Sequence, residues 1–291
     1  MLSRVTIIIP AYNRADYINQ TIDSVLNQSF QDFELIVVDD GSTDGTYEKI
    51  KAYGSQLTLL EHSGHENRGQ SASINKALKV ASGKYIIILD SDDFWELNKL
   101  QIQVDYLEAN PEIGLVYTNG YGTDSHGEIT YKYHSADHQE PNDPNAVLLD
   151  CYMALPVNAM VRKSVYDAVG FFNEEYRAAQ DHDMLIRIAE KCRFDYLPDF
   201  LFYYRRHGDS ISHTKLDVRW TTGFKILEAA RQRYPYKAST IRKRKAVLNY
   251  RLGQVFIKQK RYIKAFSHFI KAGVLDPIRS VNVVIGKEAV N

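Results

Sequence analysis

The sequence has few cysteines and no long apolar runs. Only two of its 291 residues are cysteine, Cys151 and Cys192, which is too few for a disulfide scaffold or a CxxC metal site. No apolar run approaches the ~18 residues of a membrane-spanning helix, and residues 1–10 lack the apolar region of a signal peptide. These absences predict reduced cysteines and a cytoplasmic protein.

Net charge is absent as well. The 36 Lys and Arg residues balance the 36 Asp and Glu residues, so the whole chain favours neither nucleic acid nor acidic partners. The balance hides a segregation, because residues 229–275 contain thirteen Lys and Arg and no Asp or Glu. This basic region suits an anionic surface, although a solvated basic helix face explains the pattern equally well.

Short β-branched runs alternate with amphipathic segments in the first third of the chain. The runs at 5–9, 33–38, 57–61 and 85–89 predict strands, and the segments at 16–28, 46–53 and 71–80 predict helices. This order predicts an α/β fold, a Rossmann-like, mostly parallel sheet flanked by helices, with ligands at the carboxyl ends of its strands. From about residue 216 onward the pattern is helical throughout.

Acidic residues follow two of these strands, at 39–40 and at 90–93. Clustered carboxylates repel one another unless a cation is bound, and hard oxygen ligands suit Mg²⁺ or Mn²⁺. An alternative stays open, because an Asp before Phe94 is also a plausible helix N-cap. An EF-hand is excluded, since its twelfth position would be Lys51 instead of Glu. No GxGxxG follows any strand, which argues against a dinucleotide-binding dehydrogenase.

Three segments, in this order along the chain, resemble the motifs of a known protein family. They are VTIIIPAYNR at 5–14, VVDDGSTDG at 37–45 and LDSDD at 89–93. Together they closely resemble the family 2 glycosyltransferases, an inverting group with the A-type glycosyltransferase fold, over residues 5–213. The resemblance implies transfer of a sugar from a nucleotide-diphosphate donor, expected to be a UDP-sugar, to a glycan or lipid-linked acceptor. It also implies Mn²⁺ or Mg²⁺ as cofactor.

The resemblance further implies a role for each matching residue. The implied nucleotide-sugar contacts are Pro10, Ala11, Tyr12, Arg14, Asp39, Arg68, Asp90 and Ser91. Tyr12 would pack on the base and Asp39 would accept a hydrogen bond from a ring N–H, while capping the turn at Gly41 is an alternative role for Asp39. Asp92 and His207 would hold the metal ion that bridges the two phosphates.

A candidate base lies in the segment QDHD at 180–183, which matches the family's acidic pair ahead of a helix. Asp181 is the candidate, because inverting transfer needs a group that takes the proton of the acceptor hydroxyl. Its alternative role is a helix N-cap. Gln180 stands where the family usually has Glu, and it is expected on the acceptor side with Trp95, for which a core position is equally plausible.

The segment YYRRHGDS at 203–210 resembles the family's Tyr-Arg-x-His-x-x-Ser loop. In it, Arg205 or Arg206 would neutralise developing charge. The loop is expected to order over bound donor as a lid that excludes water.

The expected domains are a catalytic domain at 1–215, with a nucleotide-sugar half at 1–93 and an acceptor half at 94–215, and a basic helical extension at 216–291. The extension matches the offsets of one tetratricopeptide helical pair. Its basic residues, 229–275, are expected to contact anionic lipid headgroups at the inner face of the plasma membrane, where a lipid-linked acceptor would lie.

A second hypothesis is a non-catalytic carbohydrate-binding or scaffold protein of the same fold that docks through this tail. Only Gln180 favours it. A nucleotidyltransferase is a weaker alternative, because the segment around Asp181 would then lack a purpose.

Overall fold

A computed structural model describes residues 4–208 and 216–284 of the chain. These residues contain nine strands: β1 Val5–Ala11, β2 Phe33–Asp39, β3 Thr58–Glu61, β4 Tyr85–Ile88, β5 Phe94–Trp95, β6 Ile113–Thr123, β7 Ile129–Lys132, β8 Ala159–Arg162 and β9 Arg193–Arg205. The helices are α1 Ile18–Leu26, α2 Thr46–Lys51, α3 Gln70–Leu78, α4 Lys99–Ala109, α5 Pro144–Leu149, α6 Leu155–Asn158, α7 Lys163–Val169, α8 Gln180–Ala189, α9 Leu216–Arg233, α10 Ala238–Lys258, α11 Tyr262–Leu275 and α12 Pro277–Val284.

All the strands belong to one sheet, in the order β3-β2-β1-β4-β8-β6-β9-β5, with β7 paired to β6. The α/β class predicted from the sequence is confirmed. The sheet is mixed, however: β1, β2, β3 and β4 pair in parallel, whereas β8 runs antiparallel to both β4 and β6. The parallel prediction therefore holds for the half built from βα units, which need helical crossovers, and for the pair formed by β6 and β9.

The register of the parallel half brings three strand ends to one edge. Ala11 pairs with Asp39 across β1 and β2, and Ile8 pairs with Ile88 across β1 and β4. All seven residues of β1 are buried, as expected for a parallel strand covered on both faces. The acidic residues that follow β2 and β4 consequently lie beside the end of β1.

The helix that the N-cap alternative requires directly after the second acidic cluster is not formed. Phe94 and Trp95 instead form β5, which pairs antiparallel with β9 through Tyr203 and Phe202. The N-cap interpretation of the preceding Asp is therefore wrong. Asp93 is buried, and its Oδ1 accepts a hydrogen bond from the backbone N–H of Arg205.

The described residues form two compact units, one of residues 4–142 and 153–208 and the other of residues 143–152 and 216–284. In the second unit α10 packs on α11. A Cβ atom at Gly253 would lie 2.6 Å from the ring of Phe269, so glycine permits this close approach. This helical hairpin lies at the predicted positions, while its tetratricopeptide character stays a prediction. The predicted boundary at residue 215 lies outside the described residues.

Candidate active site

Asp39 ends β2 with its side chain fully buried. Its Oδ2 accepts hydrogen bonds from the backbone N–H groups of Gly41 (3.1 Å) and Ser42 (3.0 Å). Its Oδ1 is buried and has no hydrogen-bond partner among the described residues. Asp39 thus caps the turn, and it retains one buried oxygen that can accept a hydrogen bond from a ligand.

Asp40, which the sequence analysis did not single out, holds the loop that carries Arg68. Its carboxylate accepts hydrogen bonds from the backbone N–H groups of Arg68 (2.7 Å) and Gly69 (2.8 Å). Burial raises the pKa of Asp40 although these amides oppose the shift. The side chain of Arg68 is exposed, so Arg68 enters this arrangement through its backbone.

Arg14, Asp92 and His207 come together at the ends of three elements distant in sequence. Oδ2 of Asp92 accepts hydrogen bonds from Nε of Arg14 at 3.0 Å and from Nε2 of His207 at 2.8 Å. Burial raises the pKa of Asp92, but the His207 hydrogen bond and the Arg14 charge outweigh burial and lower it overall. The predicted loop around His207 continues to Ser210, which lies outside the described residues.

Asp90 has the opposite electrostatic environment. Its Oδ1 accepts a hydrogen bond from Nε2 of Gln70 at 2.6 Å. Burial, together with repulsion from Asp92 and Asp181, raises the pKa of Asp90 to about 8. Three carboxylates therefore share this edge.

A divalent cation fits these carboxylates chemically, because it would offset their mutual repulsion and because Mg²⁺ and Mn²⁺ prefer oxygen ligands. Within residues 4–208 and 216–284, no group of three or more His, Cys, Asp or Glu side chains has the arrangement of a formed metal site. The fit therefore rests on the charge and the chemistry of Asp90, Asp92 and His207.

The first turn of α8 carries two carboxylates, Asp181 and Asp183, whose contacts differ. The N-cap residue is Ala179, so Asp181 is not the cap. Asp183 is buried and forms an ion pair with Nε of Arg187 at 3.0 Å. The Asp181 carboxylate has no hydrogen bond or ion pair with the part of the chain that the structure describes. Asp181 is thus the carboxylate of this turn that remains available to a substrate.

Gln180 takes part in a chain of side-chain hydrogen bonds. Its Nε2 donates to Oε1 of Gln70 at 2.5 Å, and Gln70 in turn donates to Asp90. Glutamate at position 180 could not donate this hydrogen bond when ionised. It would also add another negative charge to the carboxylates of Asp90, Asp92 and Asp181. Gln180 therefore has a positioning role here. The sequence analysis missed Gln70.

Other predicted residues lie outside this cluster or contribute only their backbone. Trp95 is in the core, where its indole N–H donates to the carbonyl of Val157 at 2.9 Å, so the structure gives no support for stacking of its ring on an acceptor. Ser91 is buried and its carbonyl accepts the hydroxyl hydrogen bond of Thr21. Of the three nucleotide contacts predicted at the end of β1, Pro10 and Ala11 are buried and Tyr12 is exposed.

The two arginines before His207 are both engaged elsewhere. The guanidinium of Arg205 is buried, donates to Oε1 of Gln20 and stacks on Tyr17 at 4.6 Å. That of Arg206 stacks on Tyr131 at 4.6 Å. Neither group forms an ion pair with the acidic residues of the site in the described structure.

Comparison with known proteins gives matches over most of the chain. The model of the family "Glycosyl transferase family 2" matches residues 6–170. Chondroitin synthase from Escherichia coli is 28% identical over 234 residues, which are 80% of this chain and 33% of that protein. The chain thus spans about a third of the length of this curated relative.

Two solved structures share the fold. Residues 1–349 of S. aureus TarS in complex with UDP-GlcNAc match with a TM-score of 0.69 at 20% identity, over 92% of this chain and 81% of that one. A mannosyltransferase from Pyrobaculum calidifontis in complex with GDP-Man and Mn²⁺ matches with a TM-score of 0.63 at 21% identity, over 99% of this chain and 80% of that one.

Proposed function

The chain belongs to glycosyl transferase family 2, and from this premise we propose that it moves a sugar from a nucleotide-diphosphate donor to an acceptor hydroxyl by a single inverting displacement. The observation that carries the proposal is Asp181, a carboxylate without a hydrogen-bond partner in the described structure, close enough to Asp90 to raise its pKa. A general base needs this freedom, because it must accept a proton from the substrate.

The donor nucleotide binds at the joint edge of β1, β2 and β4. The buried Oδ1 of Asp39 accepts a hydrogen bond from the ring N–H of the base. Tyr12, exposed at the end of β1, packs on the base. A uridine donor is supported by the fold neighbour that holds UDP-GlcNAc, although another neighbour holds GDP-Man.

The diphosphate lies beside the guanidinium of Arg14. Arg14 and His207 both contact Asp92; Asp92 and a neutral His207 would hold Mn²⁺ or Mg²⁺, and Arg14 would contact the phosphates. When bound, the cation supplies positive charge that stabilises the departing diphosphate. A fold neighbour contains Mn²⁺, which supports this assignment.

Asp181 takes the proton of the acceptor hydroxyl, which makes the oxygen a better nucleophile. Gln180 and Gln70 hold Asp90 in place next to it. The acceptor is a glycan or a lipid-linked saccharide. A glycan is supported by the relative named for chondroitin synthesis.

The first test is calorimetric titration of UDP, GDP, CDP and dTDP, each with and without Mn²⁺, into the wild type and Asp92→Asn. We expect Mn²⁺-dependent binding of UDP in the wild type and its loss in Asp92→Asn. Binding of another diphosphate would change the donor class. If well-folded protein bound no diphosphate at all, the transferase proposal would fail and the scaffold hypothesis would gain weight.

A further inference from the structure

A stripe of large apolar side chains is exposed along α11 and α12. Ile263 is 89% exposed, Val274 77% and Ile278 76%. The other exposed members are Phe266, Ile270 and Val281. Scattered apolar residues are ordinary on protein surfaces, but six large ones exposed on two consecutive helices indicate an interaction surface.

The stripe is distinct from the face by which α11 joins its own unit. Ala265 and Ala272 are buried, and Phe269 packs against Gly253 of α10. The members of the stripe in α11 follow one another at intervals of three, four and four positions, from 263 to 274, which places them on a single side of the helix. The helix is therefore apolar on two faces, and only one of them is used within the unit.

Basic residues border the stripe. Lys264 and Lys271 are exposed and seven residues apart, so they share one flank of α11. Three more exposed cations, Lys258, Lys260 and Arg261, lie at the turn between α10 and α11. Acidic side chains do not offset them, because the only acidic residue in 229–284 is Asp276, which is buried.

Charge decides between the possible occupants of this face. A second copy of the chain would bring the same cations against these ones, which opposes a symmetric pairing. A bilayer with anionic headgroups offers negative charge at the level of the lysines and an apolar interior below it. Helices with an apolar face and flanking lysines lie in such interfaces, with the lysine stems extended towards the headgroups.

We propose that the face formed by Ile263, Phe266, Ile270, Val274, Ile278 and Val281 inserts into the interfacial region of an anionic membrane. The basic residues at its border contact the lipid phosphates. None of the described helices is long and apolar enough to span a membrane, and this arrangement requires no spanning helix. The inference goes beyond the proposed transferase chemistry and is independent of it.

The test is flotation of the full chain with vesicles of phosphatidylcholine alone or with about 30% phosphatidylglycerol. We expect binding to the anionic vesicles only, with release at high salt. Ile263→Gln/Phe266→Gln should lower the partition coefficient at least about tenfold, because two buried apolar side chains are lost. Lys264→Gln/Lys271→Gln should lower it about 25-fold, at about fivefold for each cation near the surface.

Matched control variants carry the same substitutions in the other unit. Val80→Gln/Ile129→Gln alters two apolar residues that are each 55% exposed, and Lys51→Gln/Lys79→Gln removes two exposed lysines. Both should bind vesicles like the wild type. Far-UV circular dichroism and light scattering check folding and mass for every variant.

Three results would overturn the proposal. The first is that the folded wild-type protein does not float with anionic vesicles. Full binding by Ile263→Gln/Phe266→Gln, with loss only in the lysine variant, would indicate adsorption by charge without insertion. An oligomer that dissociates in Ile263→Gln/Phe266→Gln, with no vesicle binding by the wild type, would assign the face to a second copy.

Discussion

At the scale of single residues, the first turn of α8 holds two carboxylates with different surroundings, Asp181 and Asp183. Asp183 is tied to Arg187, and Arg187 also donates to the carbonyl of Val169 at 2.9 Å. Asp181 has no such contact in the described structure. A carboxylate held by an ion pair stabilises the fold, and a carboxylate without one is free for chemistry.

Substitution of these two residues should therefore separate activity from stability. We expect Asp181→Asn to lower sugar transfer by about 10²- to 10⁴-fold, as the loss of a general base does, with donor affinity and melting temperature unchanged. Asp183→Asn should instead lower the melting temperature, because Arg187, whose side chain is only 13% exposed, loses its ionised partner. Calorimetric donor binding, a transfer assay and thermal unfolding of both variants make the comparison. Unchanged transfer by Asp181→Asn would exclude it as the base.

A second prediction at this scale concerns His134, which is buried and stacked on His138. Burial, with a further contribution from His138, lowers the pKa of His134 to about 4, whereas an unfolded histidine titrates near ~6.5. Between these values the unfolded chain binds a proton that the folded chain does not. Stability should therefore fall as the pH falls from about 6.5 to 4, by up to about 3 kcal/mol from this residue.

The variant His134→Phe keeps an aromatic ring and removes the titrating group. We expect its free energy of unfolding to decrease less than that of the wild type between pH 7 and pH 5, as measured by urea denaturation. An equal decrease in both proteins would show that His134 does not contribute.

Residue-level prediction from the sequence depends on short motifs. Arg14, Asp92 and His207 were each named from such a motif, and the structure links the three by hydrogen bonds, while their roles stay predictions. The contacts of Asp40 and Gln70 could not be predicted, since no motif pairs Asp40 with the backbone of Arg68 or Gln70 with Asp90. Such pairings depend on the register of strands and loops, which a motif does not specify.

At the scale of elements, the parallel half was predictable because each strand is a short β-branched run followed by a helix. β5 was not predictable, because two residues, Phe94 and Trp95, suit a strand or a helix start equally well. Its identity comes from pairing with β9, which is more than a hundred positions later in the chain. The mixed direction of the sheet has the same origin, since β8 reaches its place between β4 and β6 through long-range pairing.

The loop after β2 allows a matched test with two glycines. Gly41 has φ +77°, and a Cβ atom there would lie 2.6 Å from the carbonyl oxygen of His65. Gly45 has φ +92°, with no atom within 4 Å of such a Cβ. We expect Gly45→Ala to destabilise the protein by about 1 kcal/mol through backbone strain alone. Gly41→Ala should cost about 2–4 kcal/mol, because a rigid backbone clash is added.

Both values follow from urea denaturation monitored by circular dichroism. Gly41→Ala should also weaken binding of the donor, since the N–H of Gly41 positions Asp39. Equal destabilisation by the two substitutions would mean that the loop containing His65 moves aside without cost, and the proposed rigidity of this turn would be wrong.

At the scale of the whole molecule, the chain divides its charge between its two compact units. The thirteen cations of 229–275 belong to the helical unit, and the acidic residues of the candidate active site belong to the α/β unit. The family predicted from the sequence is confirmed by the match over residues 6–170. That match includes only the short segment 143–152 of the helical unit and none of its residues 216–284, so the role of those helices has to come from their own surface.

This division predicts where a bound donor changes the molecule. We expect UDP with Mn²⁺ to slow amide hydrogen exchange in the α/β unit, first at 11–14, 39–44, 67–70 and 90–93, where the backbone surrounds the proposed nucleotide. A ligand at about 100 times its dissociation constant stabilises the state that binds it by about 2.7 kcal/mol, so amides that exchange only when this unit unfolds should slow about 100-fold. Exchange in 216–284 should be unchanged. Asp92→Asn, measured under the same conditions, should show no slowing anywhere, and slowing in the helical unit of the wild type would mean that the two units respond to the donor as one.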